Sequence, residues 1–166
     1  MTEYPWLPQP LEYRDFDNDE ARMTDAAYAI FSNDFIDSHP ECSGKAVKPI
    51  LTLLANGMEE SFWHLISEEK KKGRPRVFEV QRCERINWPR AVIERLASGD
   101  VICLKKLHHE GGKKEWRWKI ALNDFSYLVV LAVRRTCFLL RTAYPVTRNH
   151  TIVKLANEYA SCDRCP

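Results

Sequence analysis

The sequence predicts an α+β domain in which helices pack on a mostly antiparallel sheet. Between residues 101 and 144, four runs rich in β-branched and large apolar residues follow one another, separated by short turn-like segments. Segments with apolar residues at helical spacing precede, interrupt and follow the strand-like runs. The 166 residues, 45% of them hydrophobic, suit one core. We therefore expect a single domain over residues 1–166.

The N-terminal part is expected to form an extended arm and then a helix. Residues 1–18 contain Pro5, Pro8 and Pro10, and proline disfavours regular structure, so this segment is predicted to be an arm. From Asp19 to about Ser38, apolar residues recur at steps of three and four. This spacing predicts an amphipathic helix with a polar cap at positions 17 to 19.

An N-terminal hairpin is predicted after this helix. Two apolar runs, Val47 to Leu54 and Glu60 to Ile66, flank the segment Ala55-Asn56-Gly57. Asn-Gly between two such runs is the strongest short-range signal of a β-hairpin. The following segment, Lys70 to Arg76, has no apolar anchor and is expected to be an exposed loop. Pro89 suits the first turn of a helix, and Gly99 suits the position just after its C-terminus. A short helix is therefore predicted from about Pro89 to Ala97.

The C-terminal half is expected to form an antiparallel meander and a last helix. Apolar residues at helical spacing predict this helix from Thr147 to Tyr159. The predicted element order is αββαββββα, with a globular core over 19–160 and a flexible tail over 161–166. The four meander strands are predicted at Val101–Leu107, Glu115–Leu122, Tyr127–Val133 and Cys137–Tyr144.

The charges are divided unevenly along the chain. Residues 1–69 hold 4 Lys and Arg against 14 Asp and Glu, a net charge of −10, whereas residues 70–166 hold 21 against 9, a net charge of +12. Either the acidic part folds against the basic part, or the basic part faces a polyanion. No apolar run is long enough for a membrane-spanning helix and the N-terminus does not resemble a signal peptide, so we expect a cytoplasmic protein without a membrane partner.

The six cysteines are spread through a chain large enough to have its own core. This distribution is typical of reduced thiols rather than of a disulfide framework. Cys162 and Cys165 form a CxxC pair, and His39 and Cys42 form an HxxC pair upstream, so the four side chains would make a tetrahedral zinc set. Because single CxxC pairs often arise by chance, the favoured interpretation is a tail without metal, and no cofactor is expected.

His64 has two interpretations in the predicted strand Glu60 to Ile66. Strand alternation would place it on one face with Phe62 and Ile66, among aromatic residues. The first interpretation, which the spacing favours, is a core histidine bonded to the backbone. The second is a general acid or base, since the ordinary histidine pKa of about 6.5 suits proton transfer near neutral pH.

Two hydroxyl residues lie near the end of the last predicted strand. Alternation would place Thr142 and Tyr144 on the face that carries Phe138 and Leu140, with Arg141 on the opposite face. Both hydroxyls would then project side by side.

Arginines occupy the turn before this strand. Arg134 and Arg135 stand where glycine or asparagine is usual. A plain solvated turn is one interpretation, and an arginine fork that receives a phosphate beside the two hydroxyls is the other.

Aromatic and basic residues alternate over residues 115–119, Glu-Trp-Arg-Trp-Lys. Trp116 and Trp118 would share a face with Ile120, so we expect the tryptophans in the core. Arg117 and Lys119 would then form a basic outer row. The sequence contains no GxxxxGK[ST], GxGxxG, HExxH or GxSxG motif.

The segments FWHLISE, RCERINW, YLVVLAVRR and LLRTAYPV together resemble a family of small uncharacterised bacterial and phage-associated proteins. These in turn resemble the metal-independent ribonuclease superfamily that includes barnase, EndoU, colicin nuclease domains and RelE-type toxins. The resemblance covers roughly residues 31 to 159, although the loop RPRVFEV departs from the acidic, proline-containing form expected there. It implies a ribonuclease-like core acting as a toxin or phage-defence effector. The catalytic residues that it implies are His64, Arg85, Arg134, Thr142 and Tyr144.

The implied chemistry is attack of a ribose 2′-hydroxyl on the neighbouring phosphate, which gives a 2′,3′-cyclic phosphate without a metal. His64 would transfer the proton, arginines would stabilise the phosphorane, and the hydroxyls would position the phosphate. The second acid or base is left open between Tyr144 and Glu84.

The expected partners are RNA and a cognate antitoxin or immunity protein. The alternative function is a non-catalytic module that holds RNA or a protein on the same basic face. The residues expected to bind RNA, beyond the catalytic set, are Arg74, Arg76, Arg82, Arg117, Lys119, Arg135 and Arg141.

Overall fold

The computed structural model describes residues 3–165, so Met1, Thr2 and Pro166, which fall within the predicted arm and tail, lie outside the described residues. It is an α+β structure, as the sequence predicts. Its helices are α1 (Glu20–Phe31), α2 (Glu60–Ile66), α3 (Val80–Glu84), α4 (Trp88–Glu94) and α5 (Asn149–Ser161). Its strands are β1 (Glu41–Cys42), β2 (Lys45–Pro49), β3 (Ser67–Glu68), β4 (Val77–Phe78), β5 (Val101–Glu110), β6 (Lys113–Leu122), β7 (Tyr127–Val133) and β8 (Cys137–Pro145).

Six of the strands form one mixed sheet in the order β1-β2-β8-β7-β6-β5. The predicted meander is present, because β5, β6, β7 and β8 pair antiparallel in sequence order. In contrast, β2 pairs with β8 in parallel, so the sheet is mixed. Strands β3 and β4 form a separate two-stranded sheet.

The predicted N-terminal hairpin is wrong. Strand β2 ends at Pro49, and Glu60–Ile66 is the helix α2 rather than a second strand. The buried positions of α2 recur at the spacing of a helix, not of a strand. Gly57, at φ +81°, supplies a turn, but only one isolated bridge, Leu53 to Glu59, crosses it. The buried residues of α2 are Ser61, Phe62, Leu65 and Ile66.

Ser61 explains how α2 is held against the sheet. Its hydroxyl donates a hydrogen bond to the carbonyl oxygen of Leu140 at 2.6 Å and accepts one from the amide of Ile50 at 2.7 Å. Ile50 directly follows β2, and Leu140 of β8 pairs with Pro49, so a single buried hydroxyl satisfies two backbone groups where β2 stops. The Asn-Gly signal therefore marks a loop between β2 and α2.

The other predicted helices are present with shifted ends. Asp19 caps α1 by accepting a hydrogen bond from the amide of Arg22 at 3.0 Å, and a π-helical turn over Ser32–Ile36 extends the helix. The middle helix continues from α4 into a 3-10 turn, Arg95–Ser98, and ends at Gly99 with φ +79°. Helix α3 was not predicted.

We call the two sides of the β5–β8 meander the inner face and the outer face. The inner face packs with α1, α2 and α4 in the main core and carries Ile120, Val129, Leu131, Phe138 and Leu140. The outer face packs with α5 through a smaller cluster of Ala121, Leu128, Val130, Val146 and Leu155. Trp118 is buried on the inner face, but Trp116 is 50% exposed, so its predicted place in the core is wrong.

The arm packs against α3 and α4. Leu7 is buried, the amide of Leu11 donates to the carbonyl oxygen of Glu84 at 2.7 Å, and the indole of Trp88 donates to that of Pro8 at 2.9 Å. Within the predicted arm, Tyr13–Phe16 forms a 3-10 turn. Among the described residues, no helix has the length and apolar character needed to cross a membrane.

Two expectations about the cysteines are wrong. Cys103 and Cys165 form a disulfide, so the six thiols are not all reduced. The tail is tied to β5 rather than flexible, and Cys165 is not available to the four-residue zinc set with His39, Cys42 and Cys162. Within residues 3–165, no group of three or more His, Cys, Asp or Glu side chains is placed to hold a metal ion.

Candidate functional site

A β-bulge in β8 decides which side chains reach the outer face. Val130 of β7 pairs with Thr142, whereas the next residue, Leu131, pairs with Leu140, so Arg141 is an extra residue. The extra residue reverses the alternation. Thr142 and Tyr144 therefore lie on the outer face, and their predicted place on the face of Phe138 and Leu140 is wrong.

These two residues line a cleft of about 280 Å³ on the outer face. Its floor comes from alternate residues of β5, β6 and β8, and one wall comes from α5. Four of the lining side chains are cationic, one is a carboxylate and one is an imidazole. The lining residues are Lys106, His108, Arg117, Lys119, Val130, Thr142, Tyr144, Lys154 and Glu158.

Tyr144 also lines a second pocket of about 220 Å³, so the two cavities adjoin. The guanidinium of Arg82 lies 4.7 Å from the centroid of the Tyr144 ring and donates to the carbonyl oxygen of Ser67 at 2.8 Å. Burial raises the pKa of the Tyr144 hydroxyl, which therefore keeps its proton at neutral pH. The second pocket also contains Arg148, Thr147 and Glu68.

Glu158 of α5 is the carboxylate of the cleft and is 8% exposed. It accepts hydrogen bonds from the Nζ atoms of Lys106 at 2.7 Å and Lys119 at 2.9 Å. Burial alone would raise the pKa of Glu158, but the two lysines lower it overall. Glu158 is therefore ionised at neutral pH, and it joins α5 to two strands.

Beside the cleft, Glu115 is surrounded by three arginines. Its carboxylate accepts hydrogen bonds from Arg117 at 2.9 Å, from Arg134 at 2.8 Å and from Arg141 at 2.6 Å. Although burial opposes ionisation, these bonds lower the pKa of Glu115 to about 2. Ala132 of β7 lies between the paired positions of β6 and β8, and its small side chain leaves room for the arginines to cross the strand.

His64 lies on α2 and is half-buried. Its carbonyl oxygen accepts a hydrogen bond from the Thr142 hydroxyl at 3.1 Å, so the backbone of α2 is bonded to β8. Burial and then the charge of Arg76 lower the pKa of His64 to about 4. The imidazole is therefore neutral at pH 7.

The other predicted catalytic residue, Arg85, has its contacts elsewhere. Its guanidinium donates to the carbonyl oxygen of Gln81 at 3.0 Å and lies 5.1 Å from the centroid of the Trp88 ring. Trp88 packs in turn against Tyr127, an inner-face residue of β7. The structure thus does not join Arg85 to the cleft.

The residues expected to bind RNA fall into three groups. Arg117 and Lys119 line the cleft, and Arg82 lines the adjoining pocket. Arg141 and Arg117 both donate to the carboxylate of Glu115. Arg76 donates to the carbonyl oxygen of Ser67 at 2.6 Å. The other two, Arg74 and Arg135, are exposed.

Four cleft residues were not found from the sequence. His108 was assigned to a turn, because the predicted strand stopped at Leu107, whereas β5 continues to Glu110. A longer strand would have placed Lys106 and His108 on one face by simple alternation. Lys154 and Glu158 are four residues apart on α5, a spacing that places both on one side of a helix.

The chain matches no model of a known protein family, no curated protein and no solved structure.

Proposed function

We propose that this chain binds RNA in the outer-face cleft and cleaves it without a metal through a 2′,3′-cyclic phosphate. The observation that carries the proposal is the composition of the cleft. Four cations, one carboxylate, one imidazole and two hydroxyls converge on about 280 Å³. A cavity of this size, near the lower end of the usual range for ligand pockets, suits one nucleotide unit rather than a whole strand.

The charges support an anionic ligand. Lys106, Lys119, Arg117 and Lys154 outnumber the single carboxylate of the cleft, Glu158. Beside the cleft, Arg134 and Arg141 are matched by the carboxylates of Glu115 and Glu60, so the excess positive charge comes from the cleft cations themselves. A phosphodiester backbone lying across this face would therefore be attracted electrostatically and would release bound cations.

His108 and Glu158 are proposed as the acid and base. The ionised carboxylate of Glu158 accepts the proton of the attacking 2′-hydroxyl, and His108 in its protonated form donates one to the leaving 5′-oxygen. Lys106, Lys119 and Arg117 stabilise the charge that develops on the phosphorane. The second acid or base that sequence reasoning left open is thus proposed to come from the cleft.

Thr142 and Tyr144 are proposed to position the phosphate, as the resemblance implies. The imidazole of His64 is not among the side chains that line the cleft, and its pKa, lowered mainly by burial, makes it a weak proton acceptor. The catalytic role of His64 stays a prediction, as do the toxin or phage-defence role and the cognate antitoxin or immunity protein.

A cleavage assay in EDTA tests the proposal. Purified protein is incubated with a labelled single-stranded RNA, and the products are analysed for terminal cyclic phosphate. His108→Ala is expected to lower the rate by roughly 10²- to 10⁴-fold with little change in melting temperature. His109→Ala is the matched control, because His109 is the adjacent residue of β5, exposed and on the opposite face.

His64→Ala in the same assay decides between the two histidines. A loss of similar size with an unchanged melting temperature would assign the acid or base role to His64. Parental activity in a destabilised variant would assign it a structural role. If neither histidine matters and no product carries a cyclic phosphate, the cleavage mechanism is wrong.

The second candidate function is RNA binding without cleavage. It is favoured by the ion pairs of Glu158, because a carboxylate held by two lysines is a weak base. Intact RNA in a gel shift would support it. Binding at this face should weaken with salt, with a log–log slope of about −2 or steeper for three or more phosphate contacts on single strands. A flat salt response would contradict both functions.

A further inference from the structure

The C-terminal segment wraps around the edge of the sheet. Helix α5 lies on the outer face, where Leu155 packs with Leu128 and Val130. The tail then follows the free edge of β5, and Cys165 reaches the inner face, where it packs against the main core. The chain from α5 to Cys165 thus forms a strap that passes from one face of the meander to the other.

The strap is held at β5 by backbone hydrogen bonds and one covalent bond. The amide of Lys105 donates to the carbonyl oxygen of Asp163 at 2.8 Å, and the amide of Cys165 donates to that of Cys103 at 3.2 Å. The disulfide joins Cys103 to Cys165, 62 residues apart in sequence. Because β5 is the edge strand of the sheet, the tail also covers backbone groups that would otherwise be open to another strand.

Helix α5 is held by the apolar contacts of Leu155, by the packing of Tyr159 on Phe125 and by the ion pairs of Glu158. Two of its thirteen residues, Leu155 and Glu158, are buried, and Val153 is 57% exposed. Helix α5 nevertheless supplies Lys154 and Glu158 to the cleft. The disulfide adds a covalent restraint just beyond the end of this wall of the proposed site.

We propose that the Cys103–Cys165 disulfide is a thiol-exchange site whose reduction releases the strap and with it the α5 wall of the cleft. The partner is a small dithiol or glutathione-type thiol. Its thiolate attacks the sulfur of Cys165, which is the less buried of the two, and the thiolate of Cys103 leaves and takes up a proton. A second reductant thiol then displaces Cys165, so two electrons and two protons pass to the protein and the reductant becomes a disulfide.

Three of the other cysteines serve as references for exchange at this disulfide. Cys42 and Cys83 are fully buried, and burial raises the pKa of Cys42 to about 11 and that of Cys83 to about 12. Neither forms much thiolate at neutral pH, so both should resist exchange in the folded protein. Cys162 lies in the same tail as Cys165 but outside the disulfide, and it supplies a matched control.

Hydrogen exchange on the full chain tests the release. Treatment with a dithiol is expected to speed exchange of residues 149–161 and of the Lys105 amide by about 10-fold or more, while the β7 amides keep their protection. Cys165→Ser should reproduce the effect without reductant. Cys162→Ser should behave as the parent protein and should still respond to the dithiol.

Two results would overturn the inference. One is unchanged exchange in α5 both on reduction and in Cys165→Ser, which would mean that noncovalent contacts suffice. The other is equal loss of protection in α5 and β7, which would make the disulfide a brace of the whole fold rather than a local restraint.

An RNA cleavage assay on the reduced protein, which rests on the proposed function, tests whether release of the strap changes activity. Reduction is expected to lower the RNA cleavage rate by about 10-fold or more, because Glu158 leaves the cleft. If α5 is released but cleavage is unchanged, the strap does not regulate the site. If the oxidised protein cleaves no RNA, the proposed function fails while the exchange experiment still decides the thiol-exchange site.

Discussion

The two faces of the meander are stabilised by different interactions. The inner face carries apolar side chains with no exposed surface, among them Ile120, Val129 and Leu131. The outer face instead holds two carboxylates, Glu115 and Glu158, each bound by several cations. Apolar side chains fill the space on the inner face, whereas long charged side chains surround a polar cleft on the outer face. The inner face should therefore respond to lost volume and the outer face to lost charge.

The largest effect is expected from an inner-face truncation. Leu131→Ala removes a side chain with no exposed surface from the centre of the core. The lost burial and the cavity should cost about 2 to 5 kcal/mol, which lowers the melting temperature by roughly 4 to 20 °C. Calorimetry on the purified variant measures the shift.

Leu139→Ala is the matched outer-face control. Leu139 is only partly buried, and it pairs with Ala132 on the same two strands. Its truncation should cost about 1 kcal/mol. Equal losses in the two variants would mean that the faces do not differ in packing.

The second effect comes from the charge cluster of the outer face. Glu115→Gln keeps the shape of the side chain but leaves three guanidinium groups without their shared carboxylate. Because the cluster is partly exposed, the loss should be roughly 2 to 3 kcal/mol rather than the full value for a buried pair. Denaturant unfolding at neutral pH measures it.

The same cluster predicts a pH dependence. The pKa of Glu115 is about 2 in the folded protein and is ordinarily 4.5. A depressed folded pKa gives stability that is present above the ordinary value and is lost as the pH falls toward 2. The stability difference between the parent and Glu115→Gln should therefore shrink over this range. A difference that stays constant with pH would show that the loss in Glu115→Gln does not come from the carboxylate charge.

The sequence predicted the meander better than the region before it. The strands β5–β8 have long apolar runs and short turns, so local pattern and tertiary structure agree. Over Glu60–Ile66, seven residues were too few to separate helical from strand periodicity, and the Asn-Gly signal favoured a strand. Tertiary contacts, such as the bond of Ser61 to Leu140, decide the helix and cannot be read locally.

Sequence reasoning identified only part of the candidate site, again because tertiary structure is not visible in the local pattern. Thr142, Tyr144, Arg117 and Lys119 were identified by residue type and line the cleft. The bulge at Arg141 was not visible in the sequence, because an extra residue changes every later side-chain direction without any change in composition. Glu158 lies on α5, and no spacing rule connects it to lysines of β5 and β6.

The smallest expected effect is the difference in stability loss between alanine variants of two neighbouring arginines in the β7–β8 turn. Arg134 donates to Glu115 at 2.8 Å and is 40% exposed, whereas Arg135 is exposed and forms no ion pair within residues 3–165. Arg134→Ala should cost roughly 0.5 to 1 kcal/mol, and Arg135→Ala less than about 0.5 kcal/mol, since partly exposed pairs contribute little. Added salt should reduce the difference, because screening weakens the Glu115 pair. Denaturant midpoints at low and high salt measure both variants. A larger loss in Arg135→Ala than in Arg134→Ala would mean that the Glu115 cluster does not stabilise the outer face through Arg134.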